Sequence, residues 1–127
     1  MLLYAALGRE SDPRKYEIAV ALLPTKFGTS GQVLAEFYRN AIRKGETPLT
    51  PDQARSWVHA LARKAVQPVD ERVVLMGIDV SQRYRTSYWD GAVIAAARYL
   101  GASTLYTEHL DHGQTYEGVT AINPFLE

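Results

Sequence analysis

Ser87-Tyr88-Trp89-Asp90-Gly91-Ala92-Val93-Ile94-Ala95-Ala96-Ala97 is a helix-opening signature that runs into an unbroken apolar stretch. A helix that is apolar nearly all round is a buried one, so this segment reads as the inside of the domain. Asp90 on its first turn is then expected near the core. A carboxylate there needs hydrogen-bond donors, a cation or a metal ion. Ser87 and Asp90, three apart, also resemble a capping box, with the serine as N-cap and the acid answering from the third helical position. Cap and chemical role are compatible, and the local sequence leaves both open.

Outward from this helix, which should end at Leu100 before Gly101, the chain alternates helices with short strands. Asp70 opens a helix through about Arg83. Thr50-Pro51-Asp52-Gln53 is a cap signature, Thr at N-cap with Gln three later. The helix behind it shows Ala54, Trp57, Val58, Leu61 and Ala65 on one face. Before it, a helix starts at Ser30 or Gly31 and runs to about Lys44, with Val33, Leu34, Phe37, Tyr38, Ala41 and Ile42 as its apolar stripe. Asp12-Pro13 reads as an N-cap with a first-turn proline, and Leu2 to Leu7 as a short apolar helix. Strands are expected at Lys26 to Thr29, Ser103 to Tyr106 and Val119 to Ile122. This alternation argues for a parallel sheet covered on both sides, with sites at the carboxyl ends of the strands. Three short strands make a thin sheet for so many helices, and the chain opens on a helix where such a fold normally opens on a central strand.

At 127 residues the chain suits one domain over residues 1–127, large enough for a core without staples. An apolar content of 46% marks a globular protein, and no run is long enough to span a bilayer. The sequence has no cysteine, which excludes disulfides and thiolate chemistry and fits a reducing cytoplasm. Fourteen basic and fourteen acidic residues cancel, so a nucleic-acid surface has to be a local patch. Arg39, Arg43 and Lys44, with Arg83 and Arg85, are the candidates for such a rim, against the plainer reading of a solvated charged surface.

Three acidic positions fall next to strand ends. Glu36 projects from the flank of its helix, where it is either a solvated partner of Arg39 or Asn40 or part of a site. Asp90 is the second. The third is the turn Thr107-Glu108-His109-Leu110-Asp111-His112-Gly113-Gln114, which reads equally as a plain polar loop. His109 and His112 lack a third partner suited to zinc. Carboxylates converging here would repel one another unless a cation joined them, and magnesium suits a few carboxylates and several waters.

Taken together, Ser30-Gly31-Gln32-Val33-Leu34-Ala35-Glu36-Phe37-Tyr38, Ser87-Tyr88-Trp89-Asp90, Leu105-Tyr106-Thr107-Glu108, His112-Gly113-Gln114 and Asn123-Pro124-Phe125 resemble, in order, the PIN domain of the VapC-type toxin ribonucleases. The resemblance implies a three-layer αβα domain with a mainly parallel central sheet. It implies Mg²⁺ or Mn²⁺ held by about four acids, RNA as substrate, and a cognate antitoxin as partner. Glu36 and Asp90 match the family's metal ligands and Ser30 a residue that orients water or ligand. Two acids do not match. The first belongs to an Asp-Thr-Asn type motif at the end of the first strand, and Met1 stands just after that place. The fourth usually follows Thr-Glu, where this chain has His109, which leaves Glu108 and Asp111 as substitute metal ligands. The expectation is that Met1 is not the natural start, with an apolar strand encoded before it, or that the chain is a truncated gene product. Against the metal-dependent ribonuclease stands a second reading, a degenerate PIN domain that binds without turnover. The sequence leaves the oligomeric state open between monomer and homodimer.

Overall fold

The computed structural model describes residues 2–126, which form helices α1 (Leu2–Ser11) and α2 (Pro13–Leu22), strand β1 (Gly28–Ser30), helices α3 (Gly31–Ala41) and α4 (Pro51–Leu61), strand β2 (Ala65–Gln67), helices α5 (Glu71–Tyr84) and α6 (Tyr88–Tyr99), and strands β3 (Thr104–Tyr106), β4 (Thr115–Tyr116) and β5 (Val119–Ile122). Polar side chains open five of the six helices. Asp12, Ser30, Thr50, Asp70 and Ser87 each accept a backbone N–H that the first helical turn leaves unpaired. At Thr50 the box is complete, because Gln53 reaches back to the Thr50 N–H at 2.9 Å. The bond from the Val73 N–H to Asp70 outweighs the carboxylate's loss of solvation and, with the Arg72 guanidinium, holds its pKa below the ordinary range.

Several boundaries differ from expectation. Helix α1 runs to Ser11 rather than Leu7, β1 spans Gly28–Ser30 rather than Lys26 to Thr29, α3 stops at Ala41 rather than near Lys44, and Ala65 belongs to β2 rather than to the face of α4. Two strands are additional, β2 and β4. Strand β4 forms a hairpin with β5 through Glu117 and Gly118, both at positive φ (51° and 81°), the geometry of a two-residue type I′ turn.

The strands form two sheets rather than one. Strands β1 and β2 pair in parallel, Gly28 opposite Ala65 and Ser30 opposite Gln67. The second sheet has the order β3-β5-β4, with β3 parallel and β4 antiparallel to β5. Helix α6 packs against both sheets. Gly91, Ala92 and Ile94 to Ala97 are buried, as an all-apolar segment requires. Helix α5 lies along α6 at very short range, because Gly77 and Gly91 carry no Cβ: one added at Gly91 would stand 2.5 Å from the Gly77 carbonyl oxygen.

The core is divided in the same way. Phe37, Ala41, Ala54 and Leu61 form one cluster between α3 and α4, with Trp57 tilted against Phe37 at 5.9 Å. Val80, Ile94, Tyr116 and Ala121 form another between α5, α6 and the second sheet. Among the described residues no helix is long and apolar enough to cross a membrane.

Candidate functional site

The carboxyl end of β1 delivers Ser30, which is 2% exposed and caps α3 by accepting the Val33 N–H at 3.2 Å. Two turns on, Glu36 is exposed and accepts from the Gln32 amide at 3.3 Å. Both line a cleft of about 1390 Å³ between the two sheets, and Glu108 and His109, just past the end of β3, line it from the other side.

Asp90 is half-buried on the first turn of α6, where its N–H donates to Ser87 Oγ at 3.1 Å. The serine half of the expected capping box is therefore present. Unlike the box at Thr50, no return bond from the Asp90 side chain occurs among the described residues, so the carboxylate is not consumed by capping. It lines a pocket of about 250 Å³ with Arg85, His109, Asp111 and Gln114. The Asp111 N–H donates to the Tyr116 hydroxyl at 3.3 Å, which fixes the turn that carries it. His109 lines both this pocket and the cleft.

The structure thus brings Asp90 and Asp111 to one pocket and sets Ser30, Glu36 and Glu108 around the adjoining cleft. Among the described residues no group of three or more His, Asp or Glu side chains closes on a common point. Glu108 is occupied otherwise. It accepts from Lys15 Nζ at 3.0 Å, and Lys15 also bonds the Tyr4 hydroxyl at 3.3 Å. Burial pushes the Glu108 pKa up, but the Lys15 bond and charge, with Tyr4, outweigh it and hold the carboxyl below its ordinary value. The same bond from Lys15 to Glu108, helped by Tyr4, raises the ammonium pKa. Nothing local in the sequence marks Lys15, because its partner lies far along the chain. His112 is a structural residue, with Nδ1 accepting the Asn123 N–H at 3.0 Å. Arg83 pairs with Glu117 at 2.6 Å, which also pairs with Arg98 at 2.9 Å, so part of its charge is offset although its side chain stays exposed. Arg39, Arg43, Lys44 and Arg85 are exposed.

A family model described as the PIN domain matches residues 2–116. The chain belongs to the PIN domain family. No curated protein matches it. A PIN domain is a three-layer α/β fold, and this one has its helices and parallel strands. PIN domains are in general nucleases that use divalent metals and bind RNA. The donor set of this PIN domain is compatible with a hard divalent ion in one respect. Two carboxylates share a pocket with room for water, which is as much protein ligation as magnesium commonly takes.

Proposed function

We propose that this PIN domain is a divalent-metal-dependent ribonuclease of the VapC toxin type, a single domain over residues 1–127 that hydrolyses RNA phosphodiester bonds. The observation that carries this reading is the shared pocket of Asp90 and Asp111, joined through His109 to the cleft lined by Glu36 and Ser30. Asp90 and Asp111 would hold Mg²⁺ or Mn²⁺; Glu36 faces the adjoining cleft, and Glu108 would join them as an oxygen donor only by giving up Lys15. The ion supplies charge stabilisation at phosphoryl oxygens and a water of lowered pKa. The chain's own residues do the rest. Arg85, on the wall of the same pocket, holds a phosphate against the carboxylates. The Ser30 hydroxyl accepts the Val33 N–H, which leaves its own proton to donate to a water or phosphate oxygen. Arg39, Arg43 and Lys44 line the path of the RNA backbone. A cognate antitoxin segment over the pocket mouth would block cleavage, in a monomer or a homodimer. A cysteine-free chain suits a reducing cytoplasm.

The test is Asp90→Asn, which removes a charge and keeps the shape. Melting temperature with and without Mn²⁺ and cleavage of RNA are measured for the wild type and the variant. Cleavage and the Mn²⁺-induced rise in melting temperature should vanish together, while the metal-free variant melts no lower than the wild type, because repulsion from Asp111 is relieved. Cleavage retained with an unchanged metal-induced shift would overturn the assignment.

One observation favours a second reading. The pocket itself holds two acids, and Glu108 on the adjoining cleft is neutralised by Lys15, as in a PIN domain that binds RNA or protein without turnover. A wild-type chain whose melting temperature does not respond to Mn²⁺, and which still binds RNA, would establish that reading.

A further inference from the structure

Helix α6 buries Gly91, Ala92 and Ile94 to Ala97, yet it leaves its largest side chain outside. Trp89 on the first turn is 60% exposed. An indole left in water forgoes the burial that its large apolar area invites. The ring is nevertheless propped in place. Tyr88 stands against it at 5.2 Å between centroids and 70° between planes. Tyr88 is itself seated on the α5–α6 seam, where a Cβ on Gly77 would meet its Cε1 at 3.2 Å. The bond from the Asp90 N–H to Ser87 Oγ fixes the turn that carries Tyr88, Trp89 and Asp90 together. Trp89 is thus a supported ring with most of its surface open.

Its neighbours say what such a ring would meet. Asp90 follows directly, with its Cα about 3.8 Å away, and lines the pocket together with Arg85 and Thr86. Successive side chains on a helix diverge by about 100°, so Trp89 stands on the rim of that pocket rather than in its wall. The exposed chain neighbours of the indole are polar, Arg85 and Ser87. The core of a protein interface joins apolar and aromatic residues and sheds charge. A flat apolar face on a polar rim, one residue from a site suited to phosphate, matches a nucleobase instead, which every nucleotide can present to an aromatic ring.

We propose that Trp89 is a base-stacking residue, which holds against its indole the base of the nucleotide next to the phosphate in the Asp90 pocket. Purines are preferred there, because their two fused rings cover more of the indole than a pyrimidine does. This role rests on the ribonuclease reading for the kind of ligand, and not on turnover, since stacking needs neither the metal nor the cleavage step.

The test therefore measures binding without cleavage, in the full chain carrying Asp90→Asn and in the presence of EDTA, where the RNA stays whole and one repelling charge is gone. Trp57→Phe leaves Trp89 as the sole tryptophan; Trp57 packs on Phe37 in the α3–α4 cluster. The probes are RNA hexamers of adenosine and of uridine, and an abasic hexamer of the same backbone. The adenosine hexamer should quench the Trp89 emission, and the abasic one should bind more weakly and without quenching. Trp89→Ala should weaken adenosine binding by about tenfold and uridine binding by less, with Trp89→Phe restoring part of the loss. Abasic binding, and the Mn²⁺-induced rise in melting temperature of a chain that keeps Asp90, should not change. If Trp57→Phe does not fold, the difference in quenching between the chain with both tryptophans and Trp89→Phe reads the same contact. Equal affinity for the adenosine hexamer with and without the indole would overturn the proposal, and the nuclease reading would still stand on the loss of cleavage in Asp90→Asn. Quenching by adenosine in a protein whose wild type neither cleaves RNA nor responds to Mn²⁺ would do the reverse, ending the nuclease reading and keeping the stacking residue. An equal loss of abasic binding in Trp89→Ala would make the indole a support of the fold, and a halved solution mass would make it a contact between copies; either result overturns the proposal.

Discussion

Lys15 and Glu108 show how a pair of side chains can be read through pH. Glu108 in the folded protein is more acidic than the ordinary 4.5, so its bond stabilises fully above that value and is lost as pH falls through the lowered one. The Lys15 ammonium has its pKa raised above 10.5, so its share is complete below that value and is lost as pH rises through the raised one. Glu108→Gln should therefore melt below the wild type across the neutral range, and the gap should close as pH falls below 4.5 and through the lowered carboxyl value. A gap that keeps its size in acid would mean that the carboxylate's charge is not what matters. His109 gives a second prediction. Imidazole is a poor magnesium ligand and a good one for transition metals, and His109 stands beside Asp90 and Asp111. Mn²⁺ should support cleavage better than Mg²⁺, and His109→Asp should move the preference toward Mg²⁺. Equal rates with both ions in the wild type would count against a role for this histidine.

Among the elements, α6 is the one whose neighbours leave no slack. Gly91→Ala improves intrinsic helix propensity by about 1 kcal/mol. The new methyl would stand 2.5 Å from the Gly77 oxygen and 2.9 Å from Ser81, and forcing a packed seam apart costs about 1–3 kcal/mol. Packing should win, and thermal melts should show a net loss; a gain would mean that the α5–α6 seam relaxes freely. At the start of α4, Thr50→Ala removes the bond from the Gln53 N–H but leaves the Gln53 side chain bonded to the residue-50 backbone N–H, and should cost about 1 kcal/mol, close to Ser87→Ala, where one bond is likewise lost. These helices were legible because their signals are local: a polar cap, an apolar period, a stop. The elements that escaped the sequence are the ones that depend on partners. Ala65-Val66-Gln67 is a strand because Gly28 to Ser30 lies beside it, and three residues carry no period. Strand β4 had a local cue, Glu117-Gly118 between two apolar residues, but Glu is an uncommon first residue for that turn. The site divides likewise. Ser30 and Asp90 stand at helix starts and Glu36 lies farther along α3, positions that local caps and periods can fix. The Lys15 bond that withdraws Glu108, and the pocket that pairs Asp111 with Asp90, join residues whose separation no local pattern records.

At the scale of the molecule, charge is balanced overall and uneven locally. Arg39, Arg43 and Lys44 are exposed around the end of α3, and Arg85 opens on the Asp90 pocket. RNA held along such a rim releases counterions, so affinity should fall steeply with added salt. Replacing Arg39 and Arg43 with Gln should flatten that dependence; a salt-independent affinity would remove the rim from the account. The close seam between α5 and α6 carries one more consequence, for how the chain comes to be folded. Its contacts span a connection of only a few residues, Arg85 to Ser87, whereas β1 must find β2 across α3 and α4. Short-range contacts close with little loss of chain entropy and form early, and long-range parallel pairing forms late. On the ribosome the order of synthesis is the reverse: β1 and β2 are made before α6, the helix that both will pack against. The first sheet therefore waits for its carboxyl-terminal scaffold, with the face that α6 will cover in reach of chaperones for the length of that wait.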